Sequence, residues 1–234
     1  MANLYYRDYT PNMKFAHPHK PTYVECIDYL KQFLSNFNFF TTDELSGLEN
    51  YWTYFSYPKN SMVVSPGKVC SHILFLCSGA IKHCTKKNEE LSVVEFMTEC
   101  NFVAGLKSFI QQTPAQHLYT CTKQTVGLQI TYENWMLLKA ARPAFEKLFD
   151  LLTEDAILNI VDRLTSFQKL DSKGRYLLML KQHPDIFINF SMQDISNYLG
   201  IKAETLSRLK KEMTYRELHS ANRERHAVRP TSGS

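Results

Sequence analysis

The run from Phe190 to Met213 admits few folds. Ser191 stands just before an apolar-periodic stretch, with the acidic Asp194 three residues later, a pattern close to a capping box. Ile195, Tyr198 and Leu199 then fall three and four apart and give one apolar helix face. Gly200 follows at once. Glycine reaches the left-handed conformation that ends a helix, so the first helix stops near Leu199. Ile201 reads as a plug, and a second helix starts near Lys202 or Ala203 with Leu206, Leu209 and Met213 inward. Two short helices joined by a tight glycine turn make a helix-turn-helix.

The second helix leaves Glu204, Ser207, Arg208 and Lys211 outside. Such a helix fits the DNA major groove. Arginine pairs with guanine, glutamate accepts from cytosine N4, and serine bonds either base type. An ordinary helical hairpin with a wet face has the same polarity. The cap, the glycine turn, the plug and the polar face occurring together favour the DNA-binding reading.

Gln193–Ile201 followed by Glu204–Leu209 resembles the DNA-binding motif of the Crp/Fnr family of bacterial transcription regulators. The Glu204, Ser207, Arg208 spacing is similar to that family's Fnr-type base-reading signature. The resemblance implies that Glu204, Ser207 and Arg208 read bases; beside them Lys202, Thr205, Lys210 and Lys211 are expected to position the helix on phosphate. It also implies an α+β chain. An N-terminal antiparallel β-roll of cupin-like or jelly-roll kind acts as the sensor, a long helix dimerises, and a winged-helix-like helix-turn-helix domain follows. The partners so implied are a palindromic operator in double-stranded DNA, a second copy of the chain, and RNA polymerase.

Charge is distributed accordingly. Residues 1–168 carry 15 Lys and Arg against 16 Asp and Glu, whereas residues 169–234 carry 12 against 7. The whole positive excess lies in the segment with the two-helix motif, as a phosphate-backbone partner requires. A solvated basic tail with Arg216, Arg223, Arg225 and Arg229 accounts for four of the twelve. No apolar run approaches the ~20 residues of a membrane span. The N-terminus shows no basic segment leading into an apolar core, so a cytoplasmic protein with reduced thiols is expected.

Residues 1–22 are rich in Tyr, Pro and His without a period and read as a flexible arm, with Tyr5, Tyr6 and Tyr9 as its anchors. Residues 23–142 read as the roll. Tyr23–Phe40 has helical spacing through Ile27, Leu30, Phe33 or Leu34, and Phe37, and a short helix follows at Thr42 with Leu45 and Leu48 inward. Strands are expected over 51–57, 61–65, 72–77, 80–85, 91–97, 118–122 and 126–131, broken by turn residues such as Pro66-Gly67 and Ser78-Gly79. The segment from Pro66 to Lys82 resembles the glycine-anchored strands of cyclic-nucleotide-binding rolls. Residues 143–169 read as the dimerisation helix, with Phe149, Leu152, Ala156, Ile160, Leu164 and Phe167 at steps of three and four, and Ile157 and Val161 widening the stripe. Residues 170–234 form the DNA-binding domain with its basic tail. A polar hinge is expected over 169–175, and Tyr176, Leu177, Leu180, Phe187, Ile188 and Phe190 are expected in the small core. Residues 214–230 have little strand character for a wing.

The stretch from Asn101 to Tyr119 should hold an effector. In the family's cyclic-nucleotide branch, an acidic residue takes the ribose and an arginine pairs with the phosphate. Here Gly105 can open a helical turn, but the acidic position is small or apolar, and the arginine position falls at Gln116 followed by His117. No arginine occurs between Arg7 and Arg142, and Lys107 is the one cation of the stretch. The candidate pocket residues are therefore Gly105, Lys107, Gln116 and His117, and cyclic AMP is not expected as effector. An empty roll serving a ligand-independent DNA-binding scaffold fits equally.

The competing class is a cupin-like metalloenzyme with two histidines and a carboxylate, for which His72, His83, His117 and Glu95 are the candidates. Among the roll's histidines no His-x-His pair occurs, the chain has no zinc-ligand spacing, and the six cysteines are scattered, so no metal, catalytic residue or cofactor is assigned and no enzyme activity is expected.

Overall fold

The computed structural model describes residues 19–87 and 90–213. The chain divides into two compact units, one up to Gln168 and one from Lys169. The arm tyrosines and residues 214–230, where the wing was in question, lie outside the described residues.

The first unit opens with α1 (Tyr23–Leu34), α2 (Thr42–Leu45) and a 3-10 turn (Leu48–Asn50). A capping box starts α1: the Glu25 amide donates to Thr22 Oγ1, and the Thr22 amide donates to the Glu25 carboxylate at 2.8 Å. Thr22-x-x-Glu25 is the pattern that predicts such a start, and the periodicity alone had already located it. Cys26, Ile27, Leu30, Phe33 and Leu34 form the buried face, and Phe37 joins them from the turn beyond the helix.

Eight strands follow: β1 (Thr53–Tyr57), β2 (Met62–Val64), β3 (His72–Ser78), β4 (Ile81–Lys87), β5 (Glu90–Met97), β6 (Phe102–Val103), β7 (Leu118–Cys121) and β8 (Thr125–Thr131), with α3 (Leu106–Gln111) between β6 and β7. They build two antiparallel four-stranded sheets, in the orders β1-β8-β3-β6 and β2-β7-β4-β5. All seven expected strands are present. The two-residue β6 escaped the sequence because no alternation can register over so short a length. Gly79 turns from β3 to β4 with φ 112°, and an added Cβ would lie 2.5 Å from the Thr125 backbone, so only glycine fits there. The core is aromatic on the α1 side, where Phe33 packs on Phe75 and Phe102 at ring centroid distances of 5.3 and 5.8 Å.

Two helices close the unit, α4 (Tyr132–Ala141) and α5 (Pro143–Lys169). Proline at the first helical position loses no intrahelical bond, which is why Pro143 starts α5 instead of breaking it. Ala144, Phe145 and Leu148 bury the first turns of α5. Farther along, Arg163 Nη2 donates to the carbonyl of Val93 in β5 at 3.1 Å.

The second unit consists, among the described residues, of α6 (Ser172–Gln182), α7 (Ile186–Asn189), α8 (Met192–Leu199) and a helix α9 over 203–213. Its core is Tyr176, Met179, Ile186, Phe190, Ile195, Leu199, Leu206 and Leu209. The expected polar hinge is shorter than 169–175. Asp171 caps α6 by accepting from the Gly174 amide at 2.7 Å, so helix resumes at Ser172. That start sets the phase of α6: Tyr176 and Met179 turn inward, and Leu177 is exposed rather than packed. Ile188, also expected in the core, is 77% exposed, and Phe187 is half-buried. In so short a helix as α7, only Ile186 and Phe190, four apart, reach the interior. Met213 is half-buried at the last described position.

Candidate nucleic-acid interface

The two-helix motif forms as its local signals require. Ser191 Oγ accepts from the Asp194 amide at 3.1 Å and donates to the Asp194 carboxylate at 2.7 Å, which fixes the start of α8. Gly200 ends it at φ 65°, and the Ile201 amide donates to the Ser196 carbonyl at 3.0 Å, closing the turn. Ile195 and Leu199 from α8 and Leu206 and Leu209 from α9 are buried.

Those four anchors leave α9 one outward face. Glu204 and Arg208, one helical turn apart, are both exposed there, and Ser207 is half-buried beside them. Lys202, Lys210 and Lys211 are exposed and Thr205 is half-buried. Lys210 Nζ lies 4.2 Å from the Phe187 ring centroid, so its stem is braced on its own unit while its charge stays in water. An exposed face bearing a bidentate donor, an acceptor and a hydroxyl has the inventory for reading base edges.

Residues that sequence reasoning did not single out support this helix. Arg175 Nε donates to the carbonyl of Leu199 at 3.1 Å. Lys173 Nζ pairs with Glu212 at 2.7 Å and ties α6 to α9. Their positions on α6 were legible; their partners, 24 and 39 residues away, were not.

In the roll, the four candidate pocket residues differ in exposure. Lys107 and Gln116 are exposed. Gly105 precedes α3 as expected, but its amide donates to Cys70 Sγ at 3.3 Å, and an added Cβ would press on Val64 at 3.1 Å. His117 meets a residue of the other candidate set: its Nδ1 lies 2.8 Å from His83 Nε2. His83 pairs across strands with both Glu95 and Tyr119, and the Tyr119 ring stacks on it at 4.3 Å. Glu95 lies 3.6 Å from His83 Nδ1. Three of the four donors considered for a metal thus come together, but His117 and Glu95 address opposite ring nitrogens of His83 and do not converge on one point. His72 is apart, bonded to Ser71 Oγ at 2.8 Å. Among the described residues no group of three or more donors is arranged to hold a metal ion. Burial, then the charges of His83 and Lys107, lowers the His117 pKa, and burial raises that of Tyr119.

No protein-family model matches the sequence, and no curated relative matches it either. Solved structures do match. FixK2 from Bradyrhizobium japonicum superposes with a TM-score of 0.61 at 15% identity, over 78% of this chain and 89% of that one. A CooA variant from Carboxydothermus hydrogenoformans gives 0.59 at 13% identity, over 73% and 79%. CLP, the c-di-GMP responsive global regulator of Xanthomonas campestris, gives 0.58 at 16% identity, over 76% and 94%.

The fold is that of the Crp/Fnr regulators. In Crp/Fnr terms the two sheets are the cyclic-nucleotide-binding-like roll, α5 is the long connecting helix, and α8 and α9 are the helix-turn-helix. The three superpositions extend over 73 to 78% of the chain, and a cupin-like metalloenzyme is not the favoured reading. No helix among the described residues is long and apolar enough to cross a membrane.

Proposed function

We propose that the protein is a homodimeric, sequence-specific DNA-binding transcription regulator of the cytoplasm, with the roll as its sensory part. The observation that carries this reading is the exposed pair Glu204 and Arg208 on α9, held outward by Leu206 and Leu209 beneath them. Glu204, Ser207 and Arg208 read base edges; Lys202, Thr205, Lys210 and Lys211 hold phosphates.

Dimerisation follows from α5. Ile157, Ile160, Val161, Leu164 and Phe167 are exposed along it, Ile160 to 65% and Leu164 to 60%. Fully burying such a side chain stabilises by about 1.5–3 kcal/mol, so a stripe of five favours a second copy of the same helix. A two-fold dimer then presents two recognition helices to half-sites about 34 Å apart on a palindromic operator, where RNA polymerase is the further partner. Cyclic AMP is not the effector in this proposal. The stretch has no arginine for its phosphate, and the Gly105 amide is already turned onto Cys70.

The test is selection of duplexes from random-sequence DNA by the purified protein, followed by sedimentation of the complex. Enrichment of a palindrome bound by two chains supports the reading. A monomer, or binding without sequence enrichment, overturns it. Native mass spectrometry of the same preparation reports any retained effector; a bare dimer that still selects its palindrome marks the roll as a ligand-independent scaffold.

A further inference from the structure

A cavity of about 460 Å³ lies within the second unit, between the start of α6 and the side of α9. Lys173 and Asp171 line it from α6; Thr205, Arg208 and Glu212 line it from α9. It is therefore continuous with the face proposed to read DNA, through Thr205 and Arg208. The cavity contains two cationic and two anionic side chains, and Lys173 Nζ pairs with Glu212 Oε1 there at 2.7 Å. Lys173 keeps 33% of its side chain exposed and Glu212 keeps 40%. An ion pair in this much water is weak and exchangeable.

We propose that Lys173 is a DNA phosphate contact supplied from outside the two-helix motif, and that Glu212 competes with DNA for it. The inference rests on the DNA-binding reading above and adds a contact to it. A helix seated in the major groove has phosphodiester backbone along its flanks, and the cavity flanks α9 on the side of Thr205, itself assigned to phosphate. A phosphodiester entering there offers Lys173 an oxygen anion in place of the carboxylate. The exchange moves no covalent bond. In the free protein Glu212 keeps the ammonium ordered and cancels its charge; in the complex the carboxylate gives it up to the phosphodiester. Because phosphate contacts carry no sequence information, the effect falls on all DNA alike.

The full-length protein is titrated with a mixed-sequence duplex about three helical turns long, and with its selected operator, at salt concentrations between about 50 and 200 mM. For Lys173→Gln the expected result is weaker binding to both duplexes, with the wild-type advantage shrinking about threefold across that salt range, the signature of one lost phosphate contact. Glu212→Gln is expected to tighten both by up to about fivefold, the affinity equivalent of an exposed ion pair. In a Lys173→Gln background the same Glu212→Gln change is expected to do nothing. An unchanged salt slope in Lys173→Gln overturns the proposal. So does equal tightening by Glu212→Gln in both backgrounds, which would make Glu212 a general repulsive charge. Wild-type protein that binds neither duplex removes the DNA-binding reading itself, a result distinct from wild-type binding that Lys173→Gln leaves unaltered.

Discussion

Arg175 donates from Nε to the carbonyl of Leu199 at 3.1 Å, at the residue where α8 meets its glycine turn. The same guanidinium donates from Nη1 to the carbonyl of Leu170 at 2.8 Å. One planar fork therefore ties the end of the first motif helix to the segment ahead of α6. The carbonyls of a helix end lack intrahelical partners, and a cationic donor there satisfies one of them and complements the helix dipole. Arg175→Ala should destabilise the second unit by about 2 kcal/mol. Lysine, a point charge without the fork, should rescue little of it. Hydrogen exchange over 192–213 in the full chain measures this, and undiminished protection in Arg175→Ala would take the positioning role away.

Base reading and phosphate anchoring separate in their response to sequence. Arg208→Ala should cost about 1–3 kcal/mol on the selected operator and relax the preference at one base pair. Lys211→Ala should weaken selected and scrambled duplexes alike and flatten the salt dependence. Anisotropy titrations with a set of singly substituted operators give both quantities. Identical profiles for the two variants would count against the assignment of Arg208.

The roll should lose stability in acid. His117 is held below the ordinary imidazole pKa by burial, by His83 and by Lys107, and His72 is held down by burial. As pH falls below the ordinary value near 6.5, the unfolded chain takes up protons that the folded chain resists, so stability falls with pH there and is recovered above it. The contact between His83 Nε2 and His117 Nδ1 sharpens the effect, since a hydrogen bond between two imidazoles holds one proton and not two. Melting temperatures of the wild type and His117→Gln from neutral pH to about pH 5 should converge in acid. A constant gap between them would show that His117 does not carry the dependence.

The six cysteines should be silent toward thiol reagents in the folded protein. All are buried and none is in a disulfide. Burial, followed by the nearby Glu99 charge, pushes the Cys100 thiol up to about 12, and burial raises Cys70, Cys77 and Cys121 as well. Reaction requires the thiolate, which such sites disfavour at neutral pH. Maleimide labelling read by intact mass should show no adducts in native buffer and six in denaturant. Labelling of the native chain within minutes would mean that the roll opens readily.

The two-helix motif was legible in the chain because everything that specifies it is local. Ser191 and Asp194 cap, Gly200 stops, and Leu206 and Leu209 set the phase of α9 within one or two turns of each other. The strands were legible for the same reason, since alternation and glycine turns act over a few residues. Sequence alone also put the positive charge in the second unit and left residues 101–119 without arginine.

Only the tertiary structure decided which strands lie side by side, and with them the chemistry of the roll. Register in the β2-β7-β4-β5 sheet brings His83 against both Glu95 and Tyr119, and thence to His117, 34 residues away. Pairing across such separations depends on the summed burial of two whole sheets, which no short window contains. The exposure of Leu177 and Ile188 was decided in the same way, because the cap at Asp171 fixes the phase of α6 and four-residue α7 has only one side to bury. Arg175 and Lys173 gained their roles from helices that fold back across them. Their residue types were plain in the sequence; the partners that use them exist only after packing.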